Sequence, residues 1–421
     1  MKRITLIITG IITSLYFFPV EFSFFSGVNT KMMLAIVGAA FLLMDSLNRH
    51  KVLMYKEIFA ATVFAALFSL MCYYSVVYNN TNDYAYSTYI VSMAVWMGGA
   101  FAVCRIIQMV HGYISLKLVI NYLVWVCAVQ CILALLIDNF PSFKFFVDTH
   151  ISSTVADTEN MNKLNRLYGI GAALDVAGTR FAAVLTMIAV LIGTDKEIKN
   201  DKKQIALYVF LFVLIALIGA MIARTTTIGM FMALVYILYS TGLIRIKRSN
   251  QKLFRVFMSV LLLSLVVCVF LYNYVPAART LFRFAFESFF NWLETGEWKS
   301  NSTEMLQGMW ILPESIKTWI VGDGYFASPS GSGFYMGIDA GYLRFIYYCG
   351  LLGLSMFSLF FVYLSIACYQ KFPNQKHIFF FLFVLVFVIW VKVSTDIFLI
   401  YALFLCIPDE QKQKNFLMQK L

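Results

Sequence analysis

The 421-residue chain is 61% hydrophobic and only 13% charged, with 41 phenylalanines, a balance that excludes an ordinary soluble domain. Its net charge of +11 would suit a nucleic-acid binder, but the Lys and Arg lie in short segments between apolar runs, where membrane topology is a sufficient explanation. The eight Cys fall in or at the apolar runs without CxxC spacing, so neither a disulfide framework nor a zinc site is expected.

Apolar runs of about 20 residues recur, the length that crosses a hydrocarbon core of roughly 30 Å. Backbone inside lipid must satisfy itself, so each run is expected to be a helix. The first follows Met1-Lys2-Arg3 but ends at Pro19-Val20-Glu21 with no small-residue cleavage pattern, so it reads as a span and not as a signal peptide. About twelve spans are expected, near 4–20, 32–48, 57–77, 87–108, 114–137, 173–193, 204–223, 225–243, 254–275, 338–368, 377–392 and 394–408. The last two share the polar junction Lys392-Val393-Ser394-Thr395-Asp396, and one broken helix is the alternative.

With the N-terminus inside, roughly two-thirds of the 33 Lys and Arg fall in inner segments, and both termini are inside. The expected fold is therefore an all-α polytopic membrane protein. Residues 1–275 hold spans 1–9 with an outer loop at 138–172 that carries Asp148, His150, Asp157, Glu159, Lys163 and Arg166. Residues 276–337 form a large outer loop with an interfacial helix, and 338–421 hold spans 10–12 and an inner tail. The inner segment 245–255, which includes Arg245, Lys247 and Arg248, is basic for topological reasons. No fixed-period repeat is present, and the two halves lack matching Gly- or Pro-broken spans.

Six basic residues break the positive-inside pattern near the outer face: Arg180, Arg224, Arg279, Arg283, Arg344 and Lys392. A charge at the centre of a spanning helix costs roughly 2.5–3.5 kcal/mol on insertion scales, so such residues mark function by default. For any one of them, snorkelling or pairing with a carboxylate is the bland account, and Asp175 is within reach of Arg180. Several arginines on one face suit recognition of phosphate by a planar, permanently charged fork.

Residues 278–294 scan as one amphipathic helix. Leu281, Phe282, Ala285, Phe286, Phe289, Phe290 and Leu293 form its apolar stripe, and Arg279, Arg283, Glu287 and Asn291 recur on the opposite face. Such a helix lies in the membrane interface with a basic edge toward headgroups; an anchor helix with an Arg283–Glu287 pair is the plainer alternative. A second short helix is expected over 303–321, interrupted at Pro313, followed by a Gly322-Asp323-Gly324 turn and a flexible Gly/Ser stretch at 328–333. At the start of the tenth span an ideal helix would put Asp339 and Tyr342 on one face and turn Arg344 away, so either Arg344 faces elsewhere or the helix is irregular. Gly350 and Gly353 allow close helix packing.

Several short motifs, in this order and with this topology, resemble the O-antigen polymerase and O-antigen ligase superfamily. They are Arg166-Leu167-Tyr168-Gly169, Ala177-Gly178-Thr179-Arg180-Phe181, Ala223-Arg224-Thr225-Thr226, Trp319-Ile320-Val321-Gly322-Asp323-Gly324, Asp339-Ala340-Gly341-Tyr342-Leu343 and Gly350-Leu351-Leu352-Gly353. The resemblance spans most of the chain. It implies a glycosyltransferase of the GT-C type in the bacterial inner membrane that joins oligosaccharide units carried on undecaprenyl diphosphate at the periplasmic face. Ligases of the superfamily usually carry a functional His in the late outer loop. The four His here are His50, His111, His150 and His377, none of them in that loop, which favours a polymerase.

On this resemblance Arg180, Arg224, Arg279 and Arg283 are expected to hold the donor diphosphate and stabilise the charge left on it. Asp339 and Glu287 are candidate general bases. Tyr342, Arg344 and Lys392 are expected to bind the acceptor or its diphosphate. No nucleotide motif or metal-spaced carboxylate cluster is present, so neither cofactor nor metal is expected. The expected partners are the lipid-linked oligosaccharide, the bilayer, and a chain-length regulator and flippase of the same pathway, with no nucleic acid. A ligase is the alternative of the same class. A flippase for the same lipid-linked glycan is the alternative of another class.

Overall fold

The structure is a computed structural model that describes residues 2–49, 56–153, 166–241, 251–331 and 333–408. Lys51, Asp157, Glu159, Lys163, Arg245, Lys247, Arg248, Ser332, Lys412, Lys414 and Lys420 lie outside the described residues.

Among the described residues the regular structure is helical, apart from one short β ladder. In order it forms α1 (Lys2–Phe17), β1 (Val20–Phe22), α2 (Thr30–Arg49), α3 (Lys56–Tyr78), α4 (Tyr89–His111), α5 (Leu116–Asn139), α6 (Pro141–His150) and β2 (Ile151–Ser153). It continues through α7 (Leu174–Thr194), α8 (Lys196–Asn200), α9 (Lys202–Ile222), α10 (Thr226–Thr241), α11 (Gln251–Tyr274), α12 (Pro276–Ala285), α13 (Glu287–Thr295), α14 (Asn301–Gly308) and α15 (Ile316–Ile320). The last elements are α16 (Gly341–Lys371), α17 (Lys376–Ile389) and α18 (Phe398–Cys406).

Each of the twelve expected apolar runs is a helix, but they are not alike. Among the described residues eight helices are long and apolar enough to cross a membrane. The helices at the first, eighth, eleventh and twelfth runs are short: α1 and α10 have 16 residues, α17 has 14 and α18 has 9. Between α17 and α18 the chain leaves helical geometry over residues 390–397, the polar junction of the sequence.

The chain divides into two compact units. The first comprises Met1–Met33, Val103–Trp298 and Phe372–Phe381. Its axis is α7, buried over nearly its whole length. Small residues let neighbours approach it: a Cβ on Gly229 of α10 would sit 2.2 Å from Ala182 Cα, and one on Gly178 would sit 2.8 Å from Ala223 Cβ. Such close backbone contact is how helices associate where lipid supplies no hydrophobic drive. β1 pairs antiparallel with β2, Glu21 opposite Ser152.

The second unit comprises Leu34–Ala102, Lys299–Lys371 and Leu382–Leu421. Its core is aromatic. Phe68 stacks on Phe357 at 4.4 Å, and Phe357 stacks on Trp390 at 5.2 Å. α16 is broken at Gly350, which adopts φ 63° and ψ −173°. A Cβ there would lie 2.1 Å from Ile320 O, so only glycine fits against this backbone. The close packing expected of Gly350 is therefore made to the 320–324 turn, where Asp323 N donates to Tyr347 O at 2.6 Å and Gly324 N to Tyr348 O at 3.1 Å.

The expected continuous helix over 278–294 is two helices. Phe286, at φ −119° and ψ 34°, interrupts it between α12 and α13. The apolar stripe is uninterrupted in sequence, so its period carries no sign of the break. The cause is tertiary: the first residue of α13, Glu287, is held by Arg224 from the α9–α10 link.

Candidate functional site

In the first unit the site is built around one ring. Arg224 and Arg166 both lie over Phe284, with guanidinium carbons 4.3 and 5.0 Å from the ring centroid. Arg224 Nε donates to Phe284 O at 2.9 Å, and its Nη2 forms an ion pair with Glu287 Oε2 at 2.6 Å. Burial pushes the Arg224 pKa below its ordinary value, Glu287 opposes that shift, and the charge of Arg166 adds to it. Two like charges and an apolar ring thus share a partly desolvated place, which is favourable only with anions close by.

The short link carrying Arg224 is pinned by its threonines. Thr225 Oγ1 donates to Asp175, Thr226 Oγ1 to Gly219 O at 3.0 Å and Thr227 Oγ1 to Arg224 O at 2.7 Å. Arg166 arrives on an extended segment held by a buried amide in the middle of α5. Gln130 Oε1 accepts from Ile170 N at 2.9 Å, and Gln130 Nε2 donates to Ile170 O at 2.9 Å and Ser14 Oγ at 3.0 Å. Gly169 turns directly beneath that amide, where a Cβ would lie 2.6 Å from Gln130 Oε1.

Arg166 opens onto a cavity of about 380 Å³ that is also lined by Asp138, Lys144, Tyr168, Thr280 and Leu281. Tyr168 donates to both carboxylate oxygens of Asp148, at 2.9 and 3.1 Å. Burial raises the Tyr168 pKa, and the Asp148 hydrogen bond and charge raise it further, so the hydroxyl stays a neutral donor. Cations, a phenol and one carboxylate around an open cavity can bind a polyanion.

The other expected site arginines of this unit have protein partners. Arg180 is buried, donates through Nη1 to Phe17 O, and lies over the Phe17 and Phe18 rings at 5.9 and 5.5 Å. It ties the end of α1 to α7. Arg279 donates to the last-turn carbonyls of α11, Tyr272 O at 3.1 Å and Asn273 O at 3.3 Å. Arg283 pairs with Glu294 and receives support from Tyr272 Oη at 3.3 Å. The expected alternative of an Arg283–Glu287 pair is thus replaced by Arg283–Glu294 and Arg224–Glu287.

In the second unit, Asp339 precedes α16, which starts at Gly341. Asp339 and Tyr342 therefore do not share a helix face. Arg344 Nη1 donates to Asp339 Oδ1 at 2.9 Å, and the guanidinium sits in the corner made by the near-perpendicular rings of Phe326 and Phe334, 4.1 and 3.8 Å from their centroids. Tyr342 donates its hydroxyl to Phe387 O at 2.9 Å, fastening α16 to the end of α17. Lys392 lies in the turn after α17.

Of the nine residues expected at the site, the structure joins Arg224 to Glu287 in one unit and Arg344 to Asp339 in the other. Arg166, Lys144, Tyr168 and Phe284 were not among them. Arg166-Leu167-Tyr168 stands in a quoted motif, and that was the available signal; Lys144 and Phe284 carried none. Among the described residues no cluster of His, Cys, Asp and Glu is arranged to hold a metal ion. Comparison with family models, curated proteins and solved structures finds no match to this chain.

Proposed function

We propose that the chain is a membrane polysaccharide polymerase of the GT-C type. In this reading it transfers a growing glycan from undecaprenyl diphosphate to the next lipid-linked unit at the periplasmic face of the bacterial inner membrane. Twelve helices form the membrane part, four of them short, and both termini are cytoplasmic. The observation that carries the proposal is the pair of guanidiniums sharing Phe284, one of them opening onto a cavity with Lys144.

The diphosphate of the donor is held by Arg166 and Lys144, with Arg224 behind them. The bond between the anomeric carbon and the diphosphate oxygen breaks, and undecaprenyl diphosphate departs with the bonding electrons. Fixed cations in a poorly solvated site stabilise that developing charge without reorganising. The acceptor hydroxyl forms the new bond and gives its proton to a carboxylate, for which Glu287 is the candidate in the same unit. Arg279 and Arg283 form the basic edge at the membrane surface, Arg180 positions α7, and Tyr342, Arg344 and Lys392 serve the acceptor. A chain-length regulator and a flippase of the same pathway are the expected partners.

The test is deletion of the protein with analysis of the surface glycan, complemented by the wild type or by Arg224→Ala. Loss of long chains with single-repeat products retained supports the polymerase. Loss of all glycan from the lipid core points to a ligase. Accumulation of lipid-linked units on the cytoplasmic side supports the second reading, a flippase. That reading is favoured by the breaks at Gly350 and at residues 390–397, since interrupted helices often line substrate paths.

A further inference from the structure

Arg344 does more than brace a helix start. Its side chain is only 9% exposed, and Nη1 is taken by Asp339. Nε and Nη2 are buried without a hydrogen-bond partner. These two groups share one edge of the guanidinium, the edge that meets the two oxygens of an oxyanion side-on. A buried charged donor left unpaired is costly, and each such group in a folded protein asks for an explanation.

Phe326 and Phe334, whose ring planes stand at 82° with centroids 6.0 Å apart, form a corner against the guanidinium. Next to it lies a cavity of about 10 Å³ lined by Tyr325, Phe326, Tyr335, Ile338 and Tyr347. That is room for a single oxygen atom. Phe334 is 39% exposed, so its ring is the wall that a larger ligand would displace. The floor is firm: Asp83 Oδ2 accepts from Phe326 N at 2.7 Å and Ala327 N at 2.9 Å, and Tyr325 stacks on Tyr335 at 5.2 Å.

We infer that Arg344 anchors a site for a carboxylate carried on a sugar ring, closed in this structure by Phe334. One fork, its positive charge already shared with Asp339, suits at most a monoanion. No second cation lines this cavity, unlike the one beside Arg166 and Lys144, and a phosphate dianion would call for one. The aromatic lining suits the apolar face of a sugar. The identification of the sugar as part of the acceptor glycan rests on the polymerase reading; recognition of a carboxylate by this fork does not.

The full chain in detergent micelles is probed by saturation-transfer NMR with glucuronate, with glucose and inorganic phosphate as comparators. Glucuronate is expected to bind at least about tenfold more tightly than glucose, the usual value of a charge-assisted fork. Arg344→Lys keeps the charge but loses the fork and should weaken glucuronate by about tenfold. Phe334→Ala leaves the fork in place and should keep or strengthen binding. Equal binding of glucose and glucuronate, or an unchanged affinity in Arg344→Lys, overturns the site. Displacement of glucuronate by an equal concentration of phosphate overturns the assignment to carboxylate. If Arg344→Lys fails to elute as a folded species, glucuronate against glucose in the wild type and in Phe334→Ala decides. A chain that binds glucuronate but makes no polymer removes the polymerase and keeps the site; a polymerase indifferent to glucuronate does the reverse.

Discussion

Arg224 and Arg344 are built alike and placed for different work. Each guanidinium lies against phenylalanine and is paired with one carboxylate, Glu287 in the first unit and Asp339 in the second. The first shares its ring with a second arginine that opens onto a cavity of about 380 Å³. The second lies in a corner of two rings beside a cavity of about 10 Å³, with two N–H groups left over. The lesson is that the number of cations and the free edge, more than the presence of arginine, set the charge and shape of what each place can hold.

The largest effect is expected at Arg224. Arg224→Ala should abolish long-chain glycan and also destabilise the protein by about 3–5 kcal/mol, because the largely buried Glu287 loses this ion pair. Removing both, as Arg224→Met with Glu287→Leu, should restore the melting temperature but not the glycan. Recovery of both would make the pair purely structural and erase the contrast with Arg344.

Arg166→Ala comes next. It should lower polymer synthesis by about a hundredfold, the usual cost of one transition-state donor, with little change in melting temperature. Full activity in this variant would move the donor site away from the cavity. Gln130→Leu should act on the same segment indirectly, at about 1–3 kcal/mol for each Ile170 group left unpaired, and should reduce activity only as Arg166 loses its place.

Tyr168 gives a pH test. Its folded pKa is raised above the unfolded value of about 10, so its contribution is fully present below that pH and is lost as pH rises toward and through the folded value. The melting temperature should fall more steeply above about pH 10 in the wild type than in Tyr168→Phe. The smallest effect on stability belongs to Arg283→Ala, whose pair with Glu294 is half-exposed on both sides. No measurable change in melting is expected, so any loss of glycan there reports on substrate and not on folding.

The helices were legible because apolar length is a physical requirement of the bilayer, and all twelve runs are helical. The partners of their charges were not. Nothing in the period of residues 278–294 reveals that Glu287 is claimed from the distant Arg224 link, which is why the break at Phe286 was missed. The question left open at the start of the tenth span is settled by where the helix begins: Asp339 lies outside it and can meet Arg344. Gln130 could have been singled out, since one amide inside an apolar run must find partners, but which backbone it would serve depends on tertiary contact.

The short helices bear on the lipid as much as on the protein. Sixteen residues rise about 24 Å, several ångströms less than a hydrocarbon core of roughly 30 Å. α18 is wholly buried, but α1 and α10 present bare apolar faces, with Ile4 64%, Ile8 51% and Phe231 67% exposed. A bilayer that wets those faces must pinch inward, at fractions of a kcal/mol for each ångström of mismatch. Membranes of short acyl chains relieve that deformation and thick ones aggravate it. Under the twelve-span proposal, acyl-chain length should therefore act as a control on this protein without touching any residue of the site.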